Sequence, residues 1–229
     1  MITRSMLKYL QVSSLLLLFA GASGIASAQS EQQDIVRSAE TTFSNFMHDP
    51  DMTWLQQNIH YAKAVLIAPN VVKAGFVFGG SGGRAVLIAR DPQTGQWKGP
   101  AFYTLITASV GFQAGISVSE MVTLVMTDQA LNSLLANSVK IGGDASIAAG
   151  PVGAGAKSDI TTDFVAFSRS KGIYGGLNLD GTVVSPANDW NEAYYGKAVL
   201  PPDIVVRGNV RNHEGDALVM AVTTAARRG

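Results

Sequence analysis

The sequence predicts an α+β protein, a single β-rich domain with mainly antiparallel strands, flanking N- and C-terminal helices and one inserted helix. Three observations predict this class. Short apolar runs bounded by turn residues recur along the chain, as in strands that are covered on both faces. Helical periodicity is confined to a few segments. The 24 glycines are dispersed without a repeat, which is typical of turn-rich β structure.

The first predicted helix covers residues 34–47 and ends near Pro50. Its apolar residues follow the spacing of one helical face: Ile35, Ala39, Phe43 and Phe46. Its polar residues are mostly acidic, so it lacks the cationic flank of a membrane-surface helix, and we expect it to pack on the domain. A second short helix is predicted over residues 53–61, capped by Asp51 or Thr53.

The strands begin with two identical runs, AVLIA at residues 64–68 and again at 85–89. Between them we expect a strand over 73–78 and a glycine loop over 79–83. Further β-like stretches are 101–109, 117–126, 140–148, 164–169 and 172–179. Asp180-Gly181 predicts a hairpin turn between 177–179 and 182–184. Helical periodicity returns at 128–137, the inserted helix, and at 216–227.

The first 28 residues have the pattern of a secretory signal peptide. Arg4 and Lys8 precede an apolar stretch over 15–22, and the segment ends in Ala26-Ser27-Ala28. The apolar stretch is too short for a transmembrane helix of roughly 20 residues. We therefore expect an exported protein, periplasmic or secreted, that begins at Gln29. The predicted division is 1–28 signal peptide, 29–62 helical segment and 63–229 main domain, the last two forming one globular unit.

Composition excludes several classes of function. The chain has no cysteine, so disulfides, thiol-bound metals and the acylated cysteine of a lipoprotein are excluded. Removal of the signal leaves 15 basic and 17 acidic residues, and a net charge of −2 excludes bulk electrostatic attraction to nucleic acid or anionic lipid, but not a local basic patch. The three histidines do not stand at metal-ligand spacing, so neither a metal nor a cofactor is expected. Any membrane contact is expected to be peripheral.

One enzyme hypothesis arises from the pentapeptide at 79–83, which matches G-x-S-x-G with Ser81 as the nucleophile and His213 downstream. A nucleophile elbow needs a strand, a sharp turn and then a helix. Here the glycines run into the second AVLIA strand instead. We therefore expect no catalytic residues, and a serine hydrolase that uses Ser81 remains an alternative.

Six segments, in order over roughly 140 residues, resemble the SYLF domain family of Ysc84-like proteins. They are 63–69 (KAVLIAP), 111–115 (GFQAG), 142–153 (GGDASIAAGPVG), 167–177 (FSRSKGIYGGL), 180–181 (DG) and 191–196 (NEAYYG). The resemblance implies lipid binding, and actin binding in the yeast members. Actin binding is not expected in an exported protein, so the implied ligand is an envelope phospholipid or membrane surface.

A phosphate-binding patch uses Lys and Arg donors beside glycines that allow close backbone approach. The segment 168–172 fits this description best, and neighbouring strands add further cations. The candidate lipid-binding residues are Lys63, Lys73, Arg84, Arg169 and Lys171. Six aromatic residues near predicted loops are candidates either for a bilayer interface or for the core: Trp97, Phe102, Tyr103, Trp190, Tyr194 and Tyr195.

The sequence thus predicts an exported, peripheral and non-catalytic phospholipid-binding protein of the cell envelope, with headgroup contacts by basic residues beside glycine-rich strands. A structural or adhesive envelope protein that binds protein or glycan is the second alternative.

Overall fold

The computed structural model describes residues 31–75, 78–110, 115–153, 161–170, 173–174, 179 and 181–228. The predicted signal peptide, 1–28, lies outside these residues. The described residues combine helices with one large, mostly antiparallel sheet, which confirms the α+β prediction.

The helices of the described residues stand near both ends of the chain and between strands. They are α1 (31–48), α2 (Thr53–Asn58), α3 (Asp128–Ala136), α4 (Asn188–Tyr195), α5 (Pro201–Val205) and α6 (Asp216–Arg228). Short 3₁₀ turns flank α2 on both sides. The predicted cap at Asp51 or Thr53 was wrong, because α2 follows Met52 and has no side-chain cap. The side chain of Asp49 instead accepts from the Asp51 backbone N–H at the start of the preceding 3₁₀ turn.

The sheet has nine strands within the described residues. They are β1 (Ala64–Gly75), β2 (Phe78–Arg90), β3 (Trp97–Val110), β4 (Gly115–Val125), β5 (Val139–Lys140), β6 (Ile147–Ala149), β7 (Phe164–Ser170), β8 (Ile173–Tyr174) and β9 (Val183–Pro186). The order is β5-β9-β3-β2-β1-β4-β7-β6, with β8 paired to β7. Only the β6–β7 pair among these strands is parallel.

The two AVLIA runs are neighbours in the centre of this sheet, where they pair antiparallel as parts of β1 and β2. Both runs are buried on both faces, as predicted. One face, called here the first face, is covered by α1, α2, α4 and α6. The opposite second face is covered by α3 and α5. Val65 and Ile67 point to the first face, while Ala64 and Leu66 point to the second.

Helix α1 packs on the first face, as its acidic polar side predicted. Its buried residues recur at helical spacing: Val36, Ala39, Phe43 and Phe46. Ile35, which the sequence pattern placed on the apolar face, lies at its margin and is only partly buried.

A β-bulge interrupts β1 between Ile67 and Asn70. Side chains alternate between faces along a strand, and an extra residue reverses this alternation. Ile67 and Val72 therefore lie on the first face although they are five residues apart, while Val71 lies in the second-face core. The bulge replaces the strand break that we predicted after Ala68.

Other predicted boundaries were also wrong. Residues 79–83 belong to β2 rather than to a loop, and Lys73 belongs to the same strand as the first AVLIA run. The stretch 140–148 is divided between β5 and β6 by a turn. Val183 and Val184 pair with β3 and β5. Residues 177, 178 and 180 of the predicted hairpin lie outside the described residues, while the Thr182 backbone N–H donates to the Leu179 carbonyl at 2.9 Å across the predicted turn. Helices α4 and α5 were not predicted.

Candidate functional site

The five predicted lipid-binding cations do not form one patch among the described residues. Lys63 immediately precedes β1, and its Nζ forms an ion pair with Asp128 Oδ2 at 3.0 Å. Lys73 lies ten residues further along the same strand, roughly 33 Å away for an extended chain. The bulge turns Lys73 to the second face, opposite Ser81 and Ser117 of the neighbouring strands. Lys171 lies outside the described residues.

Arg84 lies on β2 and points to the first face. Its Nη1 donates a hydrogen bond to Thr104 Oγ1 of β3, and its guanidinium carbon lies 4.7 Å from the ring centroid of Trp190 in α4. This cation–π contact holds Arg84 against the helices at the border of the covered part of the sheet.

Arg169 lies on β7 and also points to the first face. Its Nε donates to Glu120 Oε2 at 2.9 Å, and its Nη2 forms an ion pair with the same oxygen. Glu120 Oε1 accepts from the Thr42 hydroxyl of α1 at 3.0 Å, while the Arg169 guanidinium lies over the Phe46 ring. Arg169 therefore connects β7, β4 and α1, so a structural role accounts for its position.

The lipid-binding role of these cations stays a prediction, but their geometry limits it. Arg84 and Arg169 share the first face and lie three strands apart, roughly 14 Å at the usual spacing of about 4.8 Å. Lys63 and Lys73 belong to other parts of the surface. Two of the four described candidates can therefore face one membrane together.

Ser81 lies on the second face of the sheet, between Lys73 and Thr107 in the strand register. His213 precedes α6, which packs on the first face near the start of β3. Its Nδ1 lies 3.0 Å from Asp216 Oδ2 in an exposed cluster. A nucleophile and its base must be within hydrogen-bond reach. Ser81 and His213 lie on opposite sides of the sheet, so they cannot act together as a catalytic pair. The described residues also contain no cluster of three His, Asp or Glu side chains that could hold a metal.

The most unusual surface of the described part is an uncovered portion of the first face, beyond the helices. It consists of two rows of directly paired positions that cross the sheet. One row is Val183, Ile106, Gly82, Val72 and Val118, and the next is Ala108, Gly80, Ala74 and Ile116. None of these nine residues has a polar side chain. We call these two rows the open sheet face.

The side chains of the open sheet face are exposed to solvent, and Ile106 retains 62% of its surface accessibility and Ile116 retains 74%. The second face at the same level is polar instead, with Ser81 opposite Thr107 and Thr107 hydrogen-bonded to Thr182 at 2.7 Å. A sheet that ends in solvent normally shows apolar side chains to the core and polar ones to water. The described structure has nothing that covers these apolar rows.

Glycines make the centre of this surface flat. A Cβ at Gly80 would lie 2.9 Å from the carbonyl oxygen of Thr107, and one at Gly82 would lie 3.3 Å from that of Leu105. The strands thus approach each other too closely for larger side chains. The glycine-rich segment 79–83 is a packing feature of β2, which sequence reasoning interpreted as a loop.

Sequence reasoning missed the open sheet face. The signal in the sequence was an alternation of apolar and polar residues, with Ile116 and Val118 followed by Ser117 and Ser119 respectively. They predicted a strand with one apolar face, but the same pattern is expected of a strand that faces a core. Of the six aromatic candidates for a bilayer interface, four are buried: Trp97, Phe102, Tyr103 and Tyr194. Trp190 and Tyr195 are partly buried and pack on the core.

Within the described residues, no helix is both long enough and apolar enough to span a membrane.

Comparison with known proteins identifies relatives across much of the chain. A family model described as "Ysc84: Las17-binding protein actin regulator" matches residues 106–225, more than half of the chain. The chain is 29% identical over 133 residues to LAS seventeen-binding protein 3 of Saccharomyces cerevisiae, covering 55% of this chain and 29% of that protein.

Animal proteins are similar over a longer stretch. The chain is 26% identical over 174 residues to human SH3 domain-containing YSC84-like protein 1, covering 74% of this chain and 50% of that protein. The cow protein of the same name is 27% identical over 161 residues, with 68% and 47% covered. The match thus spans half or less of the length of these relatives.

Proposed function

Because this chain belongs to the Ysc84 family, the SYLF family that the sequence resembles, we propose that it is an exported, non-catalytic binding protein that contacts phospholipid at a membrane surface. The contact is made by the open sheet face. The observation that carries this proposal is the exposure of two uninterrupted apolar rows on one face of a sheet whose other face is polar at the same level.

Burial of these rows in a membrane interface would be favourable. Full burial of a Val or Ile side chain contributes about 1.5–3 kcal/mol, and the open sheet face presents five exposed side chains of this kind. Contiguous exposed apolar patches mark protein or membrane contact sites. The flat glycine centre lets the rows approach a planar surface together.

Arg84 and Trp190 lie at the border of the open sheet face, next to its row of Ile106 and Gly82. If the apolar rows enter the acyl region, this border lies at the level of the headgroups. Guanidinium groups bind phosphate, and indole rings favour the interface. Arg84 is therefore the headgroup contact that we propose among the predicted cations. Arg169 contributes mainly through its contacts with Glu120 and Phe46.

Export follows from the first 28 residues, which we propose to be removed after Ala28. N-terminal sequencing of the protein recovered from a bacterial periplasm should read from Gln29. A protein that retains Met1, or that stays in the cytoplasm, would contradict this part of the proposal and leave the vesicle contact to be tested separately.

The vesicle contact is tested by co-sedimentation of residues 29–229 with phosphatidylglycerol/phosphatidylethanolamine vesicles. Ile106→Asp combined with Val118→Asp should weaken binding by at least about tenfold, because each change removes apolar burial and adds a charge to desolvate. Met220→Asp is the matched control, since Met220 is equally exposed but lies on α6. Binding by the double variant that equals the control would overturn the proposal.

The names of the relatives point to a second class of partner. The family model is described as a Las17-binding actin regulator, and the yeast relative is named as a LAS seventeen-binding protein, so a protein partner is the alternative for this surface. If the wild type does not pellet with any vesicle while the double variant loses binding to an envelope protein, the open sheet face is a protein-binding surface.

A further inference from the structure

A separate cleft lies at the opposite end of the first face, between the β2–β3 turn and the end of α6. Its volume is about 440 Å³, and its lining residues are Arg90, Thr94, Gly95, Gln96, Trp97, Thr223, Ala226 and Arg227. Arg90 is eight residues from Gly82 along β2, which places the cleft roughly 26 Å from the open sheet face. The two surfaces therefore act independently.

The cleft is positively charged. Two of its eight lining residues are arginines and none is acidic. Neither Arg90 nor Arg227 forms an ion pair within the part of the chain that the structure describes. Two uncompensated guanidinium groups that share one concave surface favour a ligand with at least one negative charge.

The acidic residue next to Arg90 in the sequence does not neutralise the cleft, because its carboxylate has other partners. Asp91 follows Arg90, but its Oδ2 accepts from Lys98 Nζ at 2.6 Å and its Oδ1 accepts from the backbone N–H groups of Gln93 and Thr94. Lys98 also donates to the Val206 carbonyl at the end of α5, on the second face. The Lys98 contact and these hydrogen bonds hold the pKa of Asp91 well below its usual range.

Arg90 is held in position for binding. Its Nε donates to the Gly95 carbonyl at 3.3 Å and its Nη1 to the His60 carbonyl at 3.4 Å. Gly95 has a φ of +70°, which glycine adopts without strain. A guanidinium has five N–H donors, so three remain for a ligand. The Thr94 hydroxyl accepts from the Gln96 backbone N–H, so its own proton can be donated into the cleft.

We propose that this cleft binds a phosphate group carried by a small molecule or a lipid headgroup. A guanidinium can bind two phosphate oxygens at once, two arginines line this cleft, and hydroxyl and amide groups supply further donors. The volume falls within the range of small-molecule sites, about 300–1,000 Å³. The carbonyl end of α6 opposes an anion, but Arg227 in its last turn offsets this effect.

The test is isothermal titration of residues 29–229 with inorganic phosphate and with glycerol 3-phosphate, using glycerol as the neutral control. Arg90→Gln and Arg227→Gln should each weaken binding by at least about tenfold, since each removes charge-assisted hydrogen bonds. Arg228→Gln is the matched control, because it removes a charge from the same helical turn without lining the cleft. Thermal unfolding should confirm that each variant is folded.

Equal affinities of Arg227→Gln and Arg228→Gln for phosphate would overturn the proposal. So would the absence of binding to the folded wild type when the phosphate compound is present at millimolar concentration and in about tenfold molar excess over the protein. Vesicles that contain phosphatidic acid distinguish the source. Weaker pelleting of Arg227→Gln with these vesicles identifies a lipid headgroup, whereas unchanged pelleting with lost glycerol 3-phosphate binding identifies a soluble ligand. The double variant of the open sheet face, Ile106→Asp with Val118→Asp, should bind glycerol 3-phosphate as the wild type does. Failure of the membrane proposal can therefore be distinguished from failure of the phosphate proposal.

Discussion

Neutralisation of Arg169 should destabilise the fold, because this side chain connects three elements of the first face. The side chains of Arg169 and Glu120 are 20% and 29% exposed, so the ion pair is partly buried. An exposed ion pair contributes about 0.2–1 kcal/mol, and disruption of a buried pair costs about 3–5 kcal/mol. We expect about 1.5 kcal/mol for the pair. Loss of the stacking on Phe46 adds about 0.5–1 kcal/mol. Arg169→Gln should therefore lower the free energy of unfolding by about 2 kcal/mol.

A double-mutant cycle with Glu120→Gln separates the two contributions. Urea unfolding of the single and double variants, followed by far-ultraviolet circular dichroism, should give a coupling energy of about 1–2 kcal/mol. The midpoint of thermal unfolding should fall by about 4–8 °C in Arg169→Gln, at about 2–4 °C per kcal/mol for a domain of this size.

The control is Arg207→Gln, which removes the ion pair between Asp203 of α5 and Arg207, two residues beyond the end of that helix. Arg207 is 61% exposed, so its loss should cost no more than about 0.5 kcal/mol. A coupling energy between Arg169 and Glu120 that is no larger than the loss of unfolding free energy in Arg207→Gln would refute the structural role of Arg169. Its charge would then be available to a ligand, and the headgroup role predicted from the sequence would gain support.

Two further predictions concern backbone packing and pH. Gly83→Ala should destabilise the protein by about 1–3 kcal/mol, because the new Cβ meets the Asn70 carbonyl at the bulge. Gly143→Ala should be nearly neutral, since its Cβ meets Lys140 no closer than 3.4 Å. Equal urea midpoints for the two variants would contradict the bulge geometry. Hydrogen bonds from Thr127 and Ser146 lower the pKa of Asp163 from its ordinary value of 3.8. The ionised carboxylate therefore stabilises the folded protein above pH 3.8, and this stabilisation is lost as the pH falls through the lowered pKa. Asp163→Asn should be less stable than the wild type at pH 7, and the gap should narrow below pH 4; a gap that is constant from pH 7 to pH 2 would contradict this assignment.

The central strands and the terminal helices could be predicted from the sequence because the pattern of apolar residues in each segment matches the residues that are buried. The AVLIA runs, with apolar residues at every position, predicted strands covered on both faces, and both are buried. The spacing of Ala39, Phe43 and Phe46 predicted the buried side of α1. In each case one segment contains the whole signal.

Helix α4 could not be found in this way because a distant strand stabilises it. The Asn191 side chain accepts a hydrogen bond from the Phe102 backbone N–H at 2.9 Å and is fully buried. An asparagine at a core position reads as a turn or surface residue in a single sequence. The contact that makes it a core residue joins positions 89 apart in the chain.

The distribution of the predicted cations between faces depended on the bulge in β1. Strict alternation from Ile67 would place Lys73 on the first face together with Arg84 and Arg169. The extra residue between Ile67 and Asn70 turns Lys73 to the second face and brings Val72 onto the open sheet face. This is where the sequence pattern predicted a break between two strands. The same bulge therefore hid both the dispersal of the cations and the apolar surface.

The open sheet face is tested most directly by a fluorescent label that reports insertion into lipid. The chain has no cysteine, so Ile106→Cys and Met220→Cys each create one labelling site for an environment-sensitive nitrobenzoxadiazole dye. We expect the dye at position 106 to brighten and shift to the blue when phosphatidylglycerol/phosphatidylethanolamine vesicles are added, while the dye at position 220 does not change. Vesicle binding without a change at position 106, or with equal changes at both positions, would contradict membrane contact through the open sheet face.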